Sequence, residues 1–407
     1  MILCSKERLE EKIKAFSRFG DTGNSGVTRL CFTEPDLQAR AEFCRRCEGL
    51  GMTLETDDMG NIYATLKGKE HLPALAVGSH VDSVVTGGNY DGILGVLTGL
   101  EAVETIVTEG IKTRHPITVL VWTNEEGSRF PPAMMSSGVI AGKFKKADML
   151  AVKDKDGVSF EEALEASSYQ GDEANRFSAR DYRALVELHI EQGPVLEAEG
   201  KEIGVVEGVL GMVNYEIKTL GQANHAGTTP MRMRKDALYA MAAVIQHLHN
   251  ELDKLSPTLV YTTGEISAAP NVHTVIPDRV RISLDSRHQD PEVIKQVVEV
   301  IKSIPAEMHG CPVVSREQWS RKTVDFAPEM VDLVEQSTKA LGYTYKRMYS
   351  GAGHDAQYIA EMVPATMIFV PSDTGYSHCE NEHTSLEQCW KGANVLLQTI
   401  LALDSRE

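Results

Sequence analysis

The sequence contains no uninterrupted apolar stretch of the roughly 20 residues that a membrane-spanning helix requires. Its first segment also lacks the charged-then-apolar pattern of a secretory leader. Positive charge is scarce, since 41 lysines and arginines face 58 acidic residues and the formal net charge is −17. Nucleic-acid backbones and anionic lipid surfaces repel an acidic protein. These absences argue against nucleic-acid and membrane partners, and we expect a cytoplasmic protein.

Cysteine is sparse and shows no paired framework, with seven residues spread over 407 positions. Cys44 and Cys47 have the spacing of a zinc or redox pair, but no second pair exists to complete a zinc site. Both also fall within a helical apolar pattern. We interpret them as structural residues and expect all seven cysteines to be free thiols in a reducing compartment.

The chain is long enough for more than one domain, because single hydrophobic cores stop growing near roughly 250–300 residues. Residues 1–212 alternate strand-like and helical patterns, which is typical of an α/β sheet domain. Residues 213–322 follow the order β-α-β-β-α-β, which predicts a small antiparallel sheet with two helices on one face. Residues 323–407 return to helix, buried strand and helix. We therefore predict a catalytic domain in two parts, 1–212 and 323–407, with residues 213–322 inserted.

The stretch from Gly78 to Gly92 places His80, Asp82 and Asp91 between the end of a predicted strand and the start of a predicted helix. In open α/β sheets, ligands bind at the carboxyl ends of strands. His80 and Asp82 are two residues apart, so on extended backbone their side chains point the same way. We expect the Asp82 carboxylate to hold one imidazole nitrogen and leave the other free for a metal ion.

Three further side chains of metal-ligand type lie at or near the ends of apolar segments: Glu126, His189 and His378. Each alone would be an ordinary polar residue. With His80 and Asp91 they supply three imidazoles and two carboxylates, which suit zinc, with manganese or cobalt as alternatives. Five ligands are one short of two three-ligand sites. We therefore expect one carboxylate to bridge two metal ions.

Glu125 precedes Glu126, and on extended backbone the two side chains point in different directions. We expect Glu125 to be the general base that takes a proton from the attacking water. Two metal ions about 3.5–4 Å apart can activate water and polarise a carbonyl. The pattern therefore predicts metal-dependent hydrolysis.

Seven motifs occur in order along the chain: Gly78–Ser83 (GSHVDS), Gly87–Gly92 (GGNYDG), Glu125–Phe130 (EEGSRF), Glu187–Gly193 (ELHIEQG), Asn224–Met231 (NHAGTTPM), Ser350–Asp355 (SGAGHD) and Gly375–His378 (GYSH). Over nearly its whole length the chain resembles the dinuclear-metal amidohydrolases that include allantoate amidohydrolase and N-carbamoyl-L-amino-acid hydrolase. These hydantoinase/carbamoylase-type amidases are relatives of aminoacylase and carboxypeptidase-type metallopeptidases.

The resemblance implies a mixed sheet flanked by helices, similar to zinc exopeptidases, with an inserted α+β sandwich that serves as a lid and dimerisation domain. It implies two divalent metal ions per subunit, bridged by Asp91. His80 and His189 would complete one site, and Glu126 and His378 the other. The general base of the family matches the residue before Glu126.

The resemblance also implies substrate-binding roles in the inserted domain. His225 matches a histidine that helps to polarise the scissile carbonyl and typically reaches into the neighbouring protomer's site, so a homodimer is expected. Arg287 matches the arginine that takes the substrate carboxylate, for which a planar two-pronged guanidinium is apt. The remaining expected substrate contacts are Thr274, Asn271, Gly353 and His354.

The sequence departs from the family pattern at three places. Thr274 replaces the usual asparagine, and a hydroxyl lacks the separate donor and acceptor ends of an amide. Cys379 and Glu380 follow His378, where the family often has Asn-Pro or Ser-Pro; Cys379 would add a soft ligand or simply pack. The segment after Gly211 lacks the Gln-Arg-Arg of allantoate enzymes, which favours an N-carbamoyl amino acid.

We therefore predict a hydrolase that cleaves a carbon–nitrogen bond, other than a peptide bond, in a small N-carbamoyl or ureido acid. The runner-up is allantoate amidohydrolase. Behind it come an N-acyl-amino-acid or dipeptide hydrolase and, from another class, a catalytically silent binding protein on the same scaffold. All five ligand positions and Glu125 are filled, which favours an enzyme.

Overall fold

The computed structural model describes residues 1–406, which form fifteen strands, twelve α-helices and three short 3₁₀ helices. The strands are β1 (Thr53–Thr56), β2 (Ile62–Leu66), β3 (Ala74–His80), β4 (Ile117–Trp122), β5 (Tyr182–Ile190), β6 (Ile203–Val209), β7 (Gly211–Leu220), β8 (Val260–Thr262), β9 (Ile266–Ala269), β10 (Arg279–His288), β11 (Glu307–Met308), β12 (Cys311–Arg321), β13 (Val324–Asp325), β14 (Tyr345–Ser350) and β15 (Ala365–Val370). The α-helices are α1 (Lys6–Phe16), α2 (Glu34–Gly49), α3 (Ile93–Thr108), α4 (Met135–Ile140), α5 (Lys146–Leu150), α6 (Phe160–Ser167), α7 (Val195–Ala198), α8 (Ala237–Leu252), α9 (Pro291–Lys302), α10 (Pro328–Ala340), α11 (Ala356–Ile359) and α12 (Leu386–Ser405).

The chain divides into two compact units. The first consists of Met1–Gly208 together with Asp325–Glu407, and the second is the continuous segment Val209–Val324. None of the helices in the part of the chain described is long and apolar enough to span a membrane.

The first unit is built on a mixed sheet in the order β1-β2-β4-β3-β5-β15-β6, with β13 and β14 also next to β6. Strands β4, β3, β5 and β15 run parallel, whereas β1, β2 and β6 pair antiparallel with their neighbours. The four parallel strands are buried almost throughout, as expected where helices cover both faces of a sheet. Helices α3, α10, α11 and α12 pack against them. The predicted mixed sheet flanked by helices is confirmed.

The four parallel strands bring their carboxyl ends to one edge of this sheet. His80 is the last residue of β3, and Glu125 and Glu126 follow β4. His189 is the penultimate residue of β5, and the loop after β15 carries His378. The side chains that the sequence marked as ligands therefore share one edge of the sheet, where α/β proteins bind their ligands.

The second unit is an antiparallel sheet in the order β11-β12-β7-β10-β8, with β9 also paired to β10. Burial alternates along β10, so Val280, Ile282 and Leu284 face the core while their neighbours face away. Helices α8 and α9 pack on the apolar face of β7 and β10. Arg287 belongs to the other face of β10.

Candidate metal centre

Asp91 lies at the centre of the five candidate ligands. Its Oδ1 is 3.1 Å from His189 Nε2 and 3.8 Å from His80 Nε2. Its Oδ2 is 3.2 Å from His378 Nε2, which is 3.4 Å from Glu126 Oε2. The ligand atoms thus form two groups, each within 4.8 Å of one another, and Asp91 belongs to both.

The hydrogen bonds of two histidines determine which ring nitrogen faces Asp91. His80 Nδ1 is 2.9 Å from the carbonyl oxygen of Asp82, and His189 Nδ1 is 3.0 Å from that of Ile190. A carbonyl oxygen only accepts, so each neutral ring carries its proton on Nδ1. The Nε2 lone pair of His80 then faces the carboxylate of Asp91 at 3.8 Å, and that of His189, 3.1 Å from the same carboxylate, also accepts the backbone N–H of Gly92 at 3.1 Å. Lone pairs that face a carboxylate oxygen repel it unless a cation lies between them, so this donor set fits a metal ion.

The pKa values of the site's residues show the same demand for positive charge. A proton on Nε2 of His189 would meet the same demand as a cation: although burial alone would lower the pKa of His189, the hydrogen bond that this proton makes to Asp91 and the charge of Asp91 raise it to about 9. Burial, followed by the charges of Asp355 and Glu126, raises the pKa of Glu125 well above its usual range. Burial and the charge of Asp91 raise that of Glu126 in the same way. Divalent cations would relieve this crowding of buried carboxylates.

Glu126 gives a separate indication that these residues fit a cation. Its Oε2 approaches His378 Nε2, whereas its Oε1 is buried and has no hydrogen-bond partner among residues 1–406. A buried carboxylate oxygen without a donor is costly. Metal coordination would satisfy it.

The Asp82 carboxylate does not hold His80 as expected. It lies 3.9 Å from His80 Nδ1, and the backbone carbonyl of Asp82 takes that hydrogen bond instead. The two carboxylate oxygens accept hydrogen bonds from the backbone N–H groups of Glu125 and Glu126, both at 3.2 Å. Two consecutive buried N–H groups at the end of β4 need acceptors, and Asp82 supplies both. Asp82 therefore fixes the segment that carries Glu125 and Glu126.

Glu187 and His354 lie next to His189. Glu187 accepts hydrogen bonds from Ser79 Oγ at 2.6 Å and from the backbone N–H of Ala356 at 3.2 Å. His354, which we expected to contact substrate, is 2% exposed, and its ring packs edge-on against His189 at 4.5 Å. Although Glu187, His189 and His354 are close enough to form a third ligand group, both oxygens of Glu187 already accept protein hydrogen bonds. Gly353 is half-buried beside His354.

Three residues that the sequence did not single out surround Asp91. Gln192 Nε2 donates to Asp91 Oδ2 at 2.8 Å, and Ser377 Oγ lies 3.1 Å from the same oxygen. Glu382 accepts a hydrogen bond from the backbone N–H of Asp91 at 3.0 Å. Gln192 and Ser377 belong to motifs that also contain ligands, which could have drawn attention to them. Glu382 lies four residues beyond His378, and no local pattern marks it.

Four of the predicted substrate contacts belong to the second unit. His225 is exposed, and its Nδ1 accepts a hydrogen bond from the N–H of Gly227 at 3.0 Å. Thr274 lies close by, because its carbonyl accepts the N–H of residue 226 at 2.9 Å. Asn271 is exposed and has a positive φ of 58°. On β10, Arg287 Nε donates to Asp285 Oδ1 at 2.7 Å, which orients the guanidinium.

Comparison with known proteins shows similarity along the whole chain. A family model described as "Peptidase family M20/M25/M40" matches residues 76–402. N-carbamoyl-L-amino-acid amidohydrolase of Paenarthrobacter aurescens is 37% identical over 404 residues, which cover 98% of each chain. Allantoate amidohydrolase of Bacillus subtilis (strain 168) is 34% identical over 406 residues, again 98% of each chain. The crystal structure of an amidase of the hydantoinase/carbamoylase family from Burkholderia multivorans superimposes with a TM-score of 0.95 at 40% identity and covers 100% of this chain and 99% of that one.

Proposed function

Since the chain belongs to peptidase family M20/M25/M40, we propose that it is a metal-dependent amidohydrolase of small N-carbamoyl or ureido acids. The relatives confirm the predicted family and the predicted class, an amidohydrolase that acts on carbon–nitrogen bonds other than peptide bonds. The observation that carries the proposal is the position of Asp91, whose two oxygens serve two groups of ligand atoms. Glu125 lies next to these groups, with its Oε2 3.5 Å from His80 Nε2.

We assign two divalent ions to this centre, with Zn²⁺ expected and Mn²⁺ or Co²⁺ as alternatives. His80, Asp91 and His189 would hold one ion, and Asp91, Glu126 and His378 the other. When bound, such ions activate water and polarise the scissile carbonyl.

Glu125 is the proposed general base. Asp82 accepts the backbone N–H of Glu125, and Glu125 itself is 7% exposed, so its side chain is held in a mostly buried position beside the ligands. The carboxylate takes one proton from the attacking water as the water oxygen bonds to the carbonyl carbon. It then returns that proton to the leaving nitrogen as the carbon–nitrogen bond breaks. The proton taken from water thus ends on the leaving nitrogen, and Glu125 is again a carboxylate.

Two residues of the second unit are proposed to bind the substrate. Because the N–H of Gly227 occupies His225 Nδ1, the neutral ring carries its proton on Nε2, which can donate to the carbonyl oxygen under attack. Asp285 accepts hydrogen bonds from Arg287 Nε at 2.7 Å and Nη2 at 3.5 Å, which orients the guanidinium, and we propose Arg287 as the partner of the substrate carboxylate. Thr274 and Asn271, with Gly353 and His354, remain proposed substrate contacts.

We further propose a homodimer in which each inserted unit contributes His225 to the site of its partner. His225 and Arg287 belong to the segment Val209–Val324, whereas all five metal ligands belong to the other unit. The inserted unit also exposes large apolar side chains that a partner could cover: Met231, Met233, Leu238 and Tyr239. A cytoplasmic location is part of the same proposal, because a reducing compartment suits seven free cysteines.

The substrate class can be tested with a panel of small acids. Metal-stripped enzyme, reloaded with zinc or manganese, is assayed with N-carbamoyl amino acids, 3-ureidopropionate, allantoate, N-acyl amino acids and dipeptides, and Glu125→Gln is the inactive control. We expect ammonia release from the ureido compounds, highest for an N-carbamoyl amino acid. Exclusive hydrolysis of N-acyl substrates or dipeptides would overturn the proposal. Preference for allantoate would support the second candidate, and the lack of Gln-Arg-Arg after Gly211 would then not indicate the substrate.

A further inference from the structure

The loop that carries Asp91 depends on an acidic residue far away in the sequence. Glu382 Oε1 accepts hydrogen bonds from the backbone N–H groups of Tyr90 and Asp91, both at 3.0 Å. These groups precede α3, which begins at Ile93, and no helical carbonyl is available to them. The Glu382 side chain therefore supplies acceptors that the local backbone does not.

The other oxygen of Glu382 reaches the loop that carries His378. Ser377 Oγ lies 3.0 Å from Glu382 Oε2 and 3.1 Å from Asp91 Oδ2, so its single proton is shared between the two carboxylates. The backbone N–H of Glu382 also donates to the carbonyl of Cys379 at 3.0 Å, which closes a turn just after His378. One side chain thus connects the two ligand-bearing loops.

Gly88 has no side chain, which leaves room for the Glu382 carboxylate. A β-carbon on Gly88 would lie 2.0 Å from Glu382 Oε1, so any other residue at position 88 would displace the carboxylate. Glu382 itself is 3% exposed. The Glu382 carboxylate is therefore held by three polar contacts and by its close approach to Gly88.

We infer that Glu382 is a positioning residue that fixes Asp91 relative to His378, so that both metal sites form together. The inference rests on the proposed function in one respect, that the centre binds two ions. Residues that orient metal ligands typically change metal affinity about 10–100-fold when they are removed. Because Asp91 belongs to both ligand groups, loss of Glu382 is expected to weaken both ions and not one alone.

The test measures metal binding directly, without substrate. Metal-stripped wild type, Glu382→Ala, Glu382→Gln and Gly88→Ala are titrated with Co²⁺, followed by calorimetry and by the visible absorption of the bound ion. Glu380→Gln is the matched control, because Glu380 is an acidic residue of the same loop. Before titration, a thermal unfolding transition of each metal-free protein is used to check that it is folded.

We expect Glu382→Ala to bind both ions about 10–100-fold more weakly, with an altered absorption spectrum. Gly88→Ala should have the same effect, because the new β-carbon pushes the Glu382 carboxylate out of place although Glu382 itself is unchanged. Glu382→Gln should restore affinity, because its amide oxygen can still accept the two N–H groups. Glu380→Gln should match wild type.

Wild-type affinity and spectrum in both Glu382→Ala and Gly88→Ala would overturn the inference while leaving the two-metal centre intact. If Glu382→Ala does not fold, Gly88→Ala decides alone. A glutamine variant as weak as the alanine variant would also overturn it, because the hydrogen bonds would then not be the cause. Failure of wild type to bind any ion would refute the proposed function itself.

Discussion

Oδ1 of Asp82 accepts a hydrogen bond from the backbone N–H of Glu125 at 3.2 Å, so the loop after β3 determines where the proposed base lies. The partner is 43 residues away in the sequence. Asp82 is buried, and burial raises its pKa to about 7. The segment 78–92 thus carries the ligands His80 and Asp91 and also holds the backbone of Glu125 and Glu126.

Replacing Asp91 by alanine should remove both metal ions. No other residue belongs to both ligand groups, and neither group keeps three protein ligands without it. Metal analysis by atomic spectroscopy should give about two ions per chain for wild type and close to none for Asp91→Ala. Glu126→Ala is the matched control and should lose mainly one ion. Retention of two ions by Asp91→Ala would refute the bridging assignment.

Glu125→Gln should keep its metal content but lose turnover by about 10²–10⁴-fold. The glutamine amide cannot take a proton from water, although it is nearly isosteric with the carboxylate. Steady-state kinetics with the best substrate of the panel, together with metal analysis, would check this. Near-normal kcat at full metal content would exclude Glu125 as the base.

Mixing two inactive variants should restore activity if His225 acts across a dimer interface. In a mixed dimer of His225→Ala and Glu125→Gln chains, one site combines an intact base with the partner's intact histidine. After subunit exchange we expect roughly a quarter of wild-type activity, because about half of the dimers are mixed and each has one intact site. Mixtures that stay inactive, or a fully active monomer, would contradict the arrangement.

Arg40→Met should destabilise the protein by about 3–5 kcal/mol. Arg40 Nε donates to Asp36 Oδ2 at 2.8 Å, and both side chains are fully buried. Removing the guanidinium leaves a buried carboxylate without its counter-ion. Arg45→Met in the same helix is the control, because the Arg45 side chain is 66% exposed and its pair with Glu42 should contribute less than about 1 kcal/mol. Urea unfolding of both variants would measure the difference, and equal values would contradict the prediction.

Asp58 should contribute stability that disappears in acid. Burial alone would raise its pKa, but hydrogen bonds from Arg176 and Lys146 lower the pKa below the usual value. With a folded-state pKa below the unfolded one, the contribution is present above about pH 4 and is lost as the pH falls through the folded value. The difference in unfolding free energy between wild type and Asp58→Asn should therefore shrink from pH 6 to pH 3. A constant difference over that range would show that Asp58 acts without its charge.

The residue types at strand ends could be predicted from sequence because that signal is local. An apolar strand followed by His, Asp or Glu is visible within a few residues, and the parallel order of β4, β3, β5 and β15 then brings these ends to one edge. His80, Glu126, His189 and His378 were found in this way. The same periodicity predicted an α/β sheet domain, and the resemblance to the family implied that its sheet is mixed and flanked by helices.

The partners of buried polar groups could not be predicted, because they are distant in sequence and depend on packing. Asp82 was expected to hold His80, two residues away, yet its carboxylate accepts the N–H groups of Glu125 and Glu126. Glu382 carries no local signal, and its hydrogen bond to the N–H of Asp91 spans 291 positions. The sequence by itself determined which residues could bind metal. Only the tertiary structure decided which buried donors meet which acceptors, because an unpaired buried group is costly and its partner comes from whichever distant loop the fold packs against it.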